Sequence, residues 1–156
     1  MKRRIGLGLF FMVMFLVTMA RAHPIQDFYK KHKKDHGMEA QILPPKVAAL
    51  MVDKDYEEAI DILKSMRTLK YLNFQGALTQ ISQYATNAEA AKGSFQLLLN
   101  ETDQLGKIKV FGARKKGYVR HLFAVVQTAN EFVLVIGKGK LTDDQINALP
   151  ALAREL

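Results

Sequence analysis

Residues 107–141 read "KIKVFGARKKGYVRHLFAVVQTANEFVLVIGKGKL", and their punctuation decides the fold. Lys115-Lys116-Gly117 and Ala129-Asn130 divide the stretch into three strand candidates, and both separators are short enough to close hairpins. The expected arrangement is a three-stranded antiparallel meander. Its second and third strands carry "LFAVV" (122–126) and "FVLVI" (132–136), apolar runs without alternation that need cover on both faces of the sheet. Helices supply that cover on one face, and the other face needs more of the chain or another subunit. On this reading Leu122, Val125, Phe132 and Leu134 are interface candidates, and the partner is a second copy or another protein.

Upstream of the meander, helix and strand signals alternate. Pro24 stands at a first helical position, Asp27 lies in the first turn and Gly37 stands where a helix would stop. Ile25, Phe28, Tyr29, His32 and His36 recur at spacings of three and four, one stripe of a helix. "MEAQIL" (38–43) alternates as a half-buried strand does, and Pro44-Pro45 then opens a short helix, "KVAALM". A second helix is expected from Asp55 to about Met66, with Asp55 and Glu58 at capping-box spacing. "TLKYLNFQG" (68–76) reads as a strand. The stretch 78–100 is helix-prone, with Gly93 marking a break or a kink. A last helix starts after Thr142, with Asp143 and Asp144 in its first turn and Pro150 limiting its length. There is no internal repeat and no linker. The expectation is one α+β domain over residues 23–156, helix-strand alternation followed by the meander, with the helices packed on one sheet face.

The first 22 residues have a different character. "MKRR" precedes an apolar run over residues 5–19, and Ala20-Arg21-Ala22 has the small-x-small pattern of a secretory cleavage site. A cleaved signal peptide 1–22 is therefore expected, with His23 as the new N-terminus. The apolar run is short for a bilayer core, which takes about 20 residues, and no transmembrane segment follows it. The chain has no cysteine, so it carries neither a lipid-bearing cysteine nor a disulfide. A periplasmic or secreted protein held together by its core is expected. Lys2, Arg3, Arg4 and Arg21 contribute half of the formal charge of +8. What remains is modestly basic, and an exported chain of that charge is not expected to bind nucleic acid.

Chemistry-bearing residues are few. "FYKKHKKDHG" (28–37) places Lys30, Lys31, Lys33 and Lys34 largely off the apolar stripe, as a solvated helix face or an anion-binding patch. His32 and His36, four apart on a helix, share a face and are candidate ligands for copper or zinc. Asp27, Glu39, His121 or the new N-terminus would have to complete such a set. An N-terminal His23 sharpens the case, because its α-amine and imidazole together chelate copper when a further histidine joins them. The metal candidates are thus His23, His32 and His36. Nucleophilic catalysis lacks its parts: there is no cysteine and no Gly-x-Ser-x-Gly elbow. The acid pairs Asp53/Asp55, Glu57/Glu58 and Asp143/Asp144 suit helix starts, and "IGKGKL" has neither phosphate-loop nor dinucleotide spacing. No enzyme and no cofactor are expected.

Taken in order, the signal peptide, "FYKKHKKDHGMEAQILPPKVAALM", "LKSMRTLKYLNFQG", "FQLLLNE" and "VRHLFAVVQTANEFVLVIGKGKL" before a terminal helix resemble an uncharacterised family of small exported bacterial proteins, one of the domain-of-unknown-function families. The resemblance implies an export signal followed by one α+β domain and an envelope location. It implies no catalytic residues. Relatives encoded beside sigma-factor regulators imply a link to envelope signalling, and a non-enzymatic interaction module is the function expected.

Overall fold

The computed structural model describes residues 23–155, so the expected export segment lies outside the described residues. Helix α1 (Pro24–His32) leads into β1 (Met38–Leu43), α2 (Pro45–Met51), α3 (Glu57–Lys64) and β2 (Met66–Gln75). Helix α4 (Leu78–Ala90) follows, then β3 (Gln96–Thr102), β4 (Gly106–Lys115), β5 (Tyr118–Thr128), β6 (Glu131–Leu141) and α5 (Asp143–Glu155). The strands form one antiparallel sheet in the order β1-β2-β6-β5-β4-β3. The α+β class and the meander β4-β5-β6 hold, but the meander is the middle of a six-stranded sheet.

The helices cover both faces, which corrects the expectation of one. Side chains alternate along a strand, so Phe123 and Val125 point to one face while Leu122 and Ala124 point to the other. On the first face, Ile25 and Phe28 of α1 and Ile81 and Ala85 of α4 close over Phe123, Phe132 and Leu134. On the second, Ala59 and Ile62 of α3 and Ile146 of α5 close over Leu69, Leu122 and Ala124; α2 packs against α3 on this side. The non-alternating runs are therefore covered by more of the same chain.

Three local expectations change with this architecture. The stretch 78–100 is broken at Gly93, whose φ of +54° lies in the left-handed region; Phe95 is then buried and Gln96 begins the edge strand β3, paired with β4. Ladder pairing overrides the helix propensity of the leucines that follow. Asp55 makes no cap for α3, which starts after Tyr56; the Asp55 N–H instead donates to Asp53 Oδ1. Pro150 sits inside α5 and does not end it. Other signals read as expected. Thr142 accepts from the Gln145 N–H at 3.2 Å while Gln145 Oε1 accepts from the Thr142 N–H at 3.0 Å, a reciprocal cap. Lys116 and Gly117 both have positive φ, as a two-residue hairpin between β4 and β5 demands. Among the described residues no helix is long and apolar enough to cross a membrane.

Candidate functional site

The second sheet face is covered incompletely. Helix α3 presents its apolar stripe and α5 enters through its cap, but between them and the sheet a cleft of about 220 Å³ remains. Ile62 and Leu63 of α3, Leu122 and Ala124 of β5, Val135 of β6 and Leu149 of α5 line it. All are hydrocarbon. A cavity of about 150 Å³ is enough for benzene, so this one has room for a bulky apolar group. Helix α2, packed against α3, turns Val47, Leu50 and Met51 outward. Their i, i+3, i+4 spacing sets them on one face, and Leu50 is 87% and Met51 80% exposed.

The histidines fall into two groups, one at each end of α1. At its start, the His23 ring stacks on His121 of β5, with centroids 4.9 Å apart and planes 25° apart, and tilts against Phe95 at 5.1 Å. The His23 Nδ1 is buried with no hydrogen-bond partner. A cavity of about 10 Å³ adjoins both rings. Burial, and then Lys138, hold His23 below its ordinary pKa; burial, then His23, Lys138 and Arg67, do the same to His121. Both imidazoles are therefore favoured in the neutral form.

At the end of α1, His32 Nδ1 lies 2.7 Å from Asp35 Oδ2, and the Tyr84 hydroxyl donates to the same oxygen at 2.9 Å. The His32 hydrogen bond, together with that from Tyr84, holds the Asp35 carboxyl below the usual carboxylate range. His32 also packs against Phe28 and edge-on to Tyr84. A histidine whose Nδ1 faces a carboxylate is oriented for acid-base work, yet neither a cysteine nor a serine is among these contacts. The cluster ties the end of α1 to α4.

The metal set His23, His32 and His36 is not assembled. Helix α1 ends at His32, so His36, exposed in the turn beyond it, does not share a helical face with His32, and the structure pairs His23 with His121. Among the described residues no group of three His, Cys, Asp or Glu side chains is placed to hold a metal. Lys30, Lys31, Lys33 and Lys34 are all exposed, the solvated face of α1 and the turn after it. Val125, Phe132 and Leu134 are buried in the core under α1 and α4 and offer no free interface, whereas Leu122, buried on the other face, lies in the wall of the cleft. Sequence reading named His121 only as one of several residues that could join the N-terminal histidine, and it missed the Asp35–Tyr84 bond and the cleft. The last had a signal: the apolar run at Leu122 called for cover on this face, and the chain's own helices leave part of it open.

Residues 29–149 match the family described as Domain of unknown function (DUF4252). No curated protein and no solved structure matches the chain.

Proposed function

The chain belongs to the DUF4252 family, a domain of unknown function, and from its own geometry we propose that it is an exported, non-enzymatic interaction module. Its cleft between α3, α5 and the sheet accepts an apolar side chain of a protein partner, and the outward face of α2 extends the contact. The observation that carries this reading is the cleft lined by Ile62, Leu63, Leu122, Ala124, Val135 and Leu149, a well-formed apolar pocket with no charged group in its wall. A partner anchors in such a pocket through one or two buried side chains, around which near-neutral contacts exclude water. Val47, Leu50 and Met51, on the helix packed against α3, supply exposed apolar surface of the kind that marks association sites. A place in the cell envelope and a link to envelope signalling belong to the same proposal.

The test is a photo-reactive residue introduced at Leu63, in the cleft wall, and at Thr86, exposed on α4 over the opposite sheet face. The expected result, in cells that produce the protein, is a protein adduct on irradiation from position 63 and none from position 86. Equal adducts from both positions, or a lipid adduct at position 63, would overturn the proposal.

A further inference from the structure

The two imidazoles at the start of α1 lie on the sheet face opposite the cleft, and the interaction reading does not use them. His23 and His121 are far apart in sequence, and the fold stacks them with ring centroids 4.9 Å apart. His23 Nδ1 is buried without a hydrogen-bond partner. Such an orphan is costly unless something accepts its lone pair or its proton. Beside it is a cavity of about 10 Å³ walled by Phe95, Ile136, Gln26 and Lys138 as well as the two histidines, room for one small body. An expected cut after Ala22 would put a free α-amine on His23 itself.

We propose that the His23 α-amine, the His23 imidazole and the His121 imidazole form a three-nitrogen site for one transition-metal ion, Cu(II) above all. Imidazole and amine donors suit copper, which tops the divalent first-row order of affinity. Pro24 sharpens the assignment. An ion held by the amine and ring of an N-terminal residue ordinarily recruits the next backbone amide nitrogen by displacing its proton. Proline has no N–H, so that route is closed and the open positions fall to His121. Phe95 and Ile136 supply the site's apolar walls. Lys138 and Arg67 are the charged groups that bear on the pair, and they disfavour protons on the rings as well as the ion. Lys138 is exposed, and its flexible stem lets it turn its charge to solvent. Binding releases the proton of the α-ammonium, so affinity rises with pH.

The experiment uses full-length chain exported and processed by its own cells, with the N-terminus read by mass spectrometry and Cu(II) titrated into the metal-free protein. His121→Phe keeps an aromatic ring in the stack and removes the donor; one glycine inserted after Ala22 moves the α-amine off His23. The expected result is a chain that begins at His23, binds one Cu(II) with a three-nitrogen paramagnetic resonance signature, and loses affinity by at least about tenfold in each variant. A different N-terminus, no bound copper, or an affinity unchanged by His121→Phe would overturn the assignment, the last because it reduces binding to simple N-terminal chelation. Cleft variants leave this readout untouched, so failure here and failure of the interaction reading are distinguishable.

Discussion

The hydroxyl of Tyr84, on α4, donates a hydrogen bond to Asp35 Oδ2 at 2.9 Å, onto the oxygen that also holds His32 Nδ1 at 2.7 Å. One carboxylate thereby joins the end of α1 to a helix laid across the same sheet face. The Tyr84→Phe variant keeps the ring stacked on Phe132 and deletes only the bond. It should cost about 1 kcal/mol in urea unfolding and raise the Asp35 pKa toward its ordinary 3.8 in an NMR titration. An unmoved Asp35 would show that the bond does not form in solution.

The stacked pair makes stability depend on pH. Burial and neighbouring positive charge lower the pKa of His23 and of His121 below the ordinary 6.5. Below pH 6.5 the unfolded chain therefore binds protons that the native chain refuses, so stability falls with pH until the folded values are reached. Urea midpoints should be flat well above pH 6.5 and decline as the pH falls below it. His121→Phe should flatten that decline. A profile identical to the parent's would remove the pair as its source.

Leu134 has no exposed surface, whereas Leu50 is 87% exposed. Leu134→Ala should cost about 2–5 kcal/mol through the cavity it leaves. Leu50→Asp should stay within about 0.5 kcal/mol of the parent. Reversed sensitivities would contradict the packing described.

Gly93 turns the chain out of α4 at φ +54°, and a Cβ there would lie 2.9 Å from Pro24 Cδ. The Gly93→Ala variant should lose about 1–2 kcal/mol for the left-handed backbone alone. It should also perturb the His23 end of α1, seen as a shift of the imidazole resonances. Stability equal to the parent's would mean the turn has another conformation.

These residues also show what sequence reading reached. The periodicity of Ile25, Phe28 and Tyr29, the hairpin at Lys116-Gly117 and the cap at Thr142 are local signals and were legible. The strand from Gln96 was not, because its leucines favour helix and only pairing with β4 makes them a strand. The apolar excess at Leu122 and Leu134 was legible as a need for cover, but its source was not, since which helices fold onto which face depends on strand order. His121 and His23 lie almost a hundred positions apart, and no spacing rule joins residues across a sheet. The family match of residues 29–149 brings no site with it.

The most direct test of the cleft is to fill it. Ala124→Leu puts added hydrocarbon into the cleft that Leu63 and Leu149 also line, with circular dichroism used to check that the variant still folds. The quantity to measure is the yield of the protein adduct from a photo-reactive residue at position 63, with and without that substitution. The account predicts that the adduct disappears when the cleft is filled. An adduct of undiminished yield would contradict it.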